Sequence, residues 1–451
     1  MFNIAFKIFI RSKGLLLGLL FLLMAGLIGI YSGKQFLEKQ RTNIEKTIQF
    51  QKESIERNVK YNEKEIGLLL YYVRFALVNE TPPIAALSMG QRDVNPSIQS
   101  VNIRNLEAQK YDTDLVNPMS LLLGNLDFGF VLIYFFPLII IAFTYNLISE
   151  EKEEGTWALV LSQTGSPWQM LVQKFLLRYL GVCLSLLSLF FMAFWTFQLP
   201  FDEAFFGVIL LSFLYLTFWF SVGWAVVSFQ ENSNFNAQIL LTFWVILTVI
   251  APAIVNGTVA NQYPVTETLS TVVAQREGYH TKWDKEKAPT MEKFYAHYPQ
   301  FRQYTMPDKQ FNWTWYYAMQ QMGDDDAKHE ADELKEKLRL RDKASSQIAM
   351  FLPTLHTQLI MNDLCQSSMQ NHEQFLDSLT AFHEQKRLYF YPKIFTDALV
   401  KNENWAVYKV EYFREKIAVN WLILIFPFVI YSLILGLVAW FNIQKFRRNG
   451  N

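Results

Sequence analysis

The chain has 451 residues, of which 51% are hydrophobic and 16% aromatic, with 39 Phe and 12 Trp. Its 41 basic and 41 acidic residues leave no formal net charge, so the electrostatic footprint of a nucleic-acid binder is absent. A mean hydropathy of +0.10 is too low for a chain made only of membrane spans, and predicts spans together with sizeable soluble parts.

Residues 1–13 interleave Phe2, Ile4, Phe6, Ile8, Phe9 and Ile10 with Lys7, Arg11 and Lys13. This reads as an amphipathic cytoplasmic segment lying on the inner leaflet. Residues 14–31 form the first apolar run, long enough for a span. The run is longer than the apolar core of a signal peptide, and no small-x-small cleavage site follows it. Residues 32–127 read as a first insertion. Within it, residues 33–77 are charged and lack proline, and Ile44, Ile48, Ile55, Val59, Ile66, Leu70, Val73 and Leu77 repeat at near-heptad steps. The pattern predicts one long stalk helix, ended by Thr81-Pro82-Pro83. Its apolar seam suits a coiled coil with a second chain and packing inside a compact domain equally.

Residues 128–148 are the second apolar run, with Pro137 as a kink. A polar stretch at 149–174 separates it from the third, at 175–199. Pro200 to Glu203 is a short acidic turn, 205–228 the fourth run, 229–237 a short polar loop and 238–256 the fifth. Residues 257–417 form a second, larger insertion that holds all six histidines. The sixth run is 418–442, and the tail 443–451 carries Lys445, Arg447 and Arg448. The expected fold is therefore an all-α polytopic membrane protein, with six transmembrane helices and two mainly helical extracytoplasmic insertions. Cys183 lies in an apolar run and Cys365 in a polar region on the opposite side of this plan, which argues against a disulfide between them.

Basic residues fix an orientation. With six spans, both termini and the loops at 149–174 and 229–237 share one side. That side holds Lys7, Arg11, Lys13, Lys152, Lys174, Lys445, Arg447 and Arg448, whereas the short loop opposite has only Asp202 and Glu203. The charge-rich side is expected to be cytoplasmic.

The stretch at 149–174 is the most informative. Charged residues run from Glu150 to Glu154 and mark a membrane exit, Gly155 breaks the helix, a short apolar segment carries Trp157, Leu159 and Leu161, and Ser166-Pro167 restarts a helix that reaches Lys174. On charge content alone, any loop between two spans needs polar residues. The order Glu151-Lys152-Glu153-Glu154-Gly155-Thr156, the apolar run to Leu161, Pro167 and Lys174 resembles the permease subunits of ABC-2 type transporters. Here Gln163-Thr164-Gly165-Ser166 stands where that family more often has a shorter Ser-x-Pro. The large insertions resemble a bacterial subgroup often labelled copper-enzyme-maturation permeases.

The resemblance implies a permease that works with separate cytoplasmic ATPase subunits, which bind the ATP and Mg, and no cofactor in this chain. It also implies a second permease subunit, identical or paralogous, and a place in the bacterial cytoplasmic membrane with both termini inside. The residues implied in coupling to the ATPase are Glu150, Glu151, Glu153, Glu154, Gly155, Thr156, Trp157, Leu159, Leu161, Pro167 and Lys174. An extracytoplasmic protein partner is a further expectation from the size of the insertions.

The residues themselves supply no catalytic motif. There is no phosphate-cradling G-x-x-x-x-G-K-[ST], no H-E-x-x-H, no C-x-x-C and no G-x-S-x-G. The apolar runs lack Asp and Glu, against an ion-coupled carrier; Arg178 sits one turn inside the third and can snorkel. Polar residues within the runs, Tyr145, Asn146, Tyr215, Ser221, Thr242 and Thr248 with Thr144, Ser212 and Thr217, are candidates for a substrate path or for helix-packing glue. Asp325 and His329 are spaced for a metal pair or for a solvated acidic face. His372 and His383 are spaced to share a helix face. Three other readings stand beside transport: mechanical transmission to the insertions without a substrate, a non-transport scaffold or sensor, and a membrane enzyme with its site in 257–417.

Overall fold

A computed structural model describes residues 2–110, 126–156, 167–265, 281–283, 286–304 and 311–449, with Val273 and Glu277. Six helices are long and apolar enough to cross a membrane: Lys13–Tyr61, Phe128–Glu153, Leu171–Phe197, Glu203–Val227, Ser233–Gln262 and Trp421–Asn442. They are the span helices one to six. Their packed faces merge into one apolar core that includes Leu22, Phe128, Leu132, Phe136, Leu186, Phe190, Leu211, Tyr215, Trp219, Leu240 and Phe428. Span helices two and five each contain one π-helical turn, at Val131–Phe135 and Ile246–Ile250. Pro137 and Pro252 follow directly, and a proline that cannot donate to the preceding turn accounts for the widened hydrogen-bonding there.

The amphipathic helix Phe2–Arg11 precedes the first span helix and packs on the third, where the Phe9 ring fills the space that a side chain at Gly181 would occupy. The first span helix continues without a break for 49 residues. The stalk therefore exists, but it stops at Tyr61 rather than Leu77. A short helix, Ile66–Tyr72, and the strand β1, Phe75–Asn79, take up the rest. Leu77 sits in that strand because Phe75 to Asn79 is buried on both faces, which suits a central strand. At Gly33 the stalk passes so close to the Ala86 carbonyl that a β-carbon would lie 2.3 Å from its oxygen, so only glycine allows this approach.

The two insertions fold as one domain. Strand β1 pairs antiparallel with β2, Ile98–Val101, and parallel with β3, Glu411–Phe413, in the order β2-β1-β3. The registers are Phe75 opposite Val101 and Leu77 opposite Glu411. A shared core joins Ile55, Leu69, Phe75 and Leu106 of the first insertion to Phe294, Tyr317, Phe375 and Tyr391 of the second. The stalk seam packs inside this domain: Ile55 is 4% exposed, Val59 lies against the same core, and Ile44 packs on Ala76, Val78 and Val410, while Ile48 is exposed. Gln51 fastens the stalk to the sheet, accepting from Ala76 N at 2.7 Å and donating to the Tyr408 carbonyl at 3.1 Å.

The helix Trp313–Ala349 runs back from this domain toward the span helices. The chain turns at Met350 to Leu352 and returns as the helix Pro353–Leu364. Tyr431, ten residues and about 15 Å along the sixth span helix, donates to the Met350 carbonyl at 2.6 Å. His356 Nε2 lies 3.1 Å from the Ile423 carbonyl, and Met361, Leu364 and Cys365 belong to the apolar core of the span helices. This hairpin thus dips into the bundle from the domain side.

Two outcomes test the domain. Ile55→Asp places a charge in a dry core and should cost several kcal/mol, whereas Ile48→Asp should be close to neutral; thermal melts of the purified protein read the difference. His383 is buried, its Nε2 2.8 Å from the Asn102 carbonyl, and burial and the nearby Arg387 hold it well below the usual histidine range. It stays neutral when folded but protonates near pH 6.5 when unfolded. Its stability contribution is therefore full above about pH 6.5 and falls below it, by up to about 1.4 kcal/mol per pH unit. Between pH 7 and pH 5 the melting temperature should drop further for the wild type than for His383→Gln, which keeps a donor for Asn102.

Candidate functional site

The polar exit of the second span helix is built from four chain segments. The helical segment Ser149–Glu153 ends at Glu154, and Gly155 follows at φ +72°. That left-handed conformation terminates a helix and disfavours any side chain. Thr156 Oγ1 turns back to donate to the Glu151 carboxylate and, at 3.2 Å, to the Glu151 carbonyl. Lys174, on the helix Pro167–Phe197, closes an ion pair with Glu151. Both side chains are largely buried, at 12% and 15% exposure, so this pair is less screened than a surface one.

Glu153 reaches a different partner. Its carboxylate accepts from Ser233 N at 2.7 Å and from Ser233 Oγ at 2.9 Å. Ser233 opens the fifth span helix, so a carboxylate here satisfies orphan N–H groups and meets the positive end of the helix dipole. Ser149 Oγ lies 2.7 Å from Ser233 Oγ, and Lys152 Nζ donates to Gln230 Oε1 at 2.9 Å. Asn236 donates to the carbonyls of Tyr145 at 3.0 Å and Glu231 at 3.3 Å. Asn232 caps the same helix by accepting from Phe235 N at 2.8 Å. The fourth and sixth span helices join through Asn442 Nδ2 donating to Ser228 Oγ at 3.0 Å. Leu147, Ile148, Leu171 and Val227, with Phe175 and Trp224, form a small apolar cluster behind these contacts.

The expected coupling residues divide. Glu151, Glu153, Gly155, Thr156 and Lys174 come together in this latch, but Glu151 and Glu153 are engaged within the chain. Glu154 is exposed and Glu150 half-buried. Trp157, Leu159 and Leu161 lie outside the described residues. Pro167 stands at the first position of its helix, as the sequence suggests.

The candidate path residues are mostly tied to backbone. Tyr215 is fully buried and donates to the Ile133 carbonyl at 2.9 Å. Ser221 and Thr248 donate to Thr217 and Trp244 carbonyls one turn back, at 2.8 and 2.7 Å, and Thr242 is exposed. Thr144, Ser212 and Thr217 make the same kind of local bond. Asn146 Oδ1 accepts from Arg178 at 3.4 Å, and Arg178 also donates to the Phe143 carbonyl. Arg178 is thus held between helices two and three, 9% exposed, instead of snorkelling freely.

The histidine pairs do not assemble. Asp325 meets His297 at 2.7 Å, while His329 is exposed, 3.7 Å from Glu333. His383 is buried on Asn102 and His372 is half-buried beside Phe375. Among the described residues, no group of three or more His, Cys, Asp or Glu is placed to hold a metal ion.

Sequence reading missed Ser233, Gln230, Asn236 and Asn442. A signal existed for the first: Asn232-Ser233 before an apolar run is a helix-start pattern. Nothing local announces that Glu153, 80 positions earlier, completes it. Known proteins add little: no curated protein and no solved structure matches the chain. Residues 269–413 match the family described as a domain of unknown function, DUF3526, a stretch that ends with the last residue of β3.

Proposed function

We propose that the chain is the membrane-spanning permease subunit of an ATP-driven ABC-2 type transporter, an exporter, in the bacterial cytoplasmic membrane. The observation that carries this is the latch. An acidic exit closed by a left-handed glycine is joined to the third span helix by Lys174, to the loop after the fourth by Gln230 and to the start of the fifth by Ser233, and resembles the site where that family meets its ATPase. Force applied at this corner moves several helices together, because each contact ties a different helix end.

In this reading ATP and Mg belong to separate cytoplasmic ATPase subunits, and a second permease subunit, identical or paralogous, completes the complex. Both termini and the latch face the cytoplasm, and the fused insertion domain faces outward. Glu151 and Glu153 then position the loop, while Glu150, Glu154 and Trp157 face the ATPase. The switch is a rigid-body movement between two bundle arrangements. One observation favours mechanical transmission as a second reading: the hairpin at Met350 ties the outer domain to the sixth span helix, so bundle movement reaches that domain without any cargo. ATP-dependent efflux from loaded vesicles supports the transporter, and ATP-dependent domain movement without efflux supports the second reading. Failure to co-purify with any ATPase favours a scaffold instead.

Glu153→Lys and Trp157→Ala separate the roles. Trp157→Ala should weaken ATPase assembly by about 2 kcal/mol or more, as for an interface anchor. Glu153→Lys should leave assembly nearly intact and uncouple ATP turnover, because it breaks the Ser233 contact. Pull-down and ATPase rate in the reconstituted complex check both, and full coupling in the double variant overturns the reading. On intact spheroplasts, a membrane-impermeant thiol reagent should label a cysteine placed at the exposed Asn261 and not one at Gln163. Native Cys365, fully buried, should stay unlabelled.

A further inference from the structure

Between the helices Trp313–Ala349 and Met369–Phe395, the insertion domain holds an open cleft of about 550 Å³. Its floor is apolar, with Leu106, Leu334, Leu338 and Leu376. Its walls carry seven carboxylates against four permanently cationic side chains. Most of the carboxylates are closed off by neighbours. Asp324 pairs with Arg387 at 2.7 Å, Asp377 with Lys335 at 2.6 Å and Asp325 with His297 at 2.7 Å, and Glu384 accepts from Tyr298 at 2.7 Å.

Two carboxylates are not satisfied. Glu107 is 9% exposed, and its Oε1 takes Lys110 Nζ at 2.7 Å, yet its Oε2 is buried with no hydrogen-bond partner among the described residues. Glu373 Oε1 is likewise buried and unpartnered. They mark opposite ends of the cleft. Glu107 N lies on Asp324, whereas Glu373 precedes by one turn the Asp377 that meets Lys335. Asp324 and Lys335 are eleven residues apart on one helix, about 16 Å. A buried carboxylate oxygen without a donor is costly, and an ammonium or guanidinium group supplies both donor and charge.

We propose that this cleft binds an extended basic peptide segment. Cationic side chains at its two ends meet Glu107 and Glu373, and apolar side chains between them lie on Leu334, Leu338 and Leu376. The helix positions that flank the two carboxylates, Asp324 and Lys335, are about 16 Å apart along the helix, and with the apolar floor between them they match an extended ligand better than a compact ion. An extended chain advances about 3.3 Å per residue, so five to seven residues cover the distance. This binding is independent of the ATPase reading, because it involves only the insertion domain.

The test uses the full-length protein in zwitterionic nanodiscs and the fluorescent peptide Arg-Ala-Leu-Ala-Leu-Ala-Arg, whose Arg and Leu side chains share one face of an extended chain, read by fluorescence anisotropy. Saturable binding is expected. Glu107→Gln and Glu373→Gln should each weaken it at least about tenfold. Leu376→Lys, at a half-buried position, should abolish it through repulsion, and the exposed His329→Ala should leave it unchanged. Melting temperatures of the variants identify any that fail to fold, and Leu376→Lys keeps the test decisive if Glu107→Gln is one of them. Absence of saturable binding, unchanged affinity in Glu373→Gln and Leu376→Lys, or equal competition by spermine, which has charge but no apolar face, would each overturn the proposal.

Discussion

The buried pair of Arg387 and Asp324 is the contact on which the insertion domain depends. The two meet at 2.7 Å with side chains 3% and 9% exposed. Around them converge groups from both insertions. Asp324 accepts from Leu106 N at 2.8 Å, and Arg387 donates to the carbonyls of Ile103, at 3.2 Å, and Arg104, and to Gln321. Two charges are tolerable in such a core only because their remaining donors and lone pairs are used. Removing either partner leaves the other charge buried and costs about 3–5 kcal/mol. Chain segments more than 200 positions apart are therefore held together by polar groups that satisfy one another. The aromatic core of Phe75, Phe294, Tyr317 and Phe390 supplies the burial around them.

This domain is fastened to the bundle at the far end of the second span helix. Asp127 caps that helix at Phe130 N, 2.7 Å away, and also accepts from Met89 N at 2.9 Å. Burial pushes its carboxyl up to about 6. Ser88 donates to Asn362 at 2.7 Å, and Arg92 reaches the carbonyls of Gln366 and Glu80 and the side chain of Asn79. Asn79 in turn meets Asn371, which donates to Glu415 at 2.6 Å. The second span helix is thus gripped by carboxylates at both ends, Asp127 on one and Glu151 and Glu153 on the other. At Asp127 the grip is a cap made by backbone N–H groups, and at the other end it is the ion pair of Glu151 with Lys174 and the Glu153 contact with Ser233.

The latch also reinterprets the charge run from Glu150 to Glu154. Read as a string, it is five exposed charges leaving a membrane. In the folded chain, the alternate residues Glu151 and Glu153 are drawn to Lys174 and Ser233, and Lys152 between them to Gln230. The helical turn sends these side chains in different directions, and each finds a different helix end. Arg178 shows the same effect. Its place inside an apolar run suggested a free route to the surface, but carbonyl and amide oxygens of the second span helix were close enough to hold it.

The sequence by itself determined the six apolar helices, because twenty consecutive apolar residues have one stable arrangement in a membrane, where backbone groups must bond within the segment. It also determined the helix breaks at Gly155 and Pro167, and the disturbed turns before Pro137 and Pro252, since these follow from local backbone chemistry. Only the tertiary structure decided how the two insertions join. Strand β1 pairs with β3 across 334 positions, Leu77 opposite Glu411, and a parallel pairing of that separation leaves no local pattern in either segment. The same holds for the stalk's end at Tyr61. Its apolar seam runs on through Leu77, but Phe75 to Asn79 is buried between β2 of the first insertion and β3 of the second, and that two-sided pairing favours a strand over a helix. Ser233 meeting Glu153 and the hairpin turning at Met350 against Tyr431 are likewise products of packing. Their partners lie 80 and 81 positions away, beyond the reach of any periodicity.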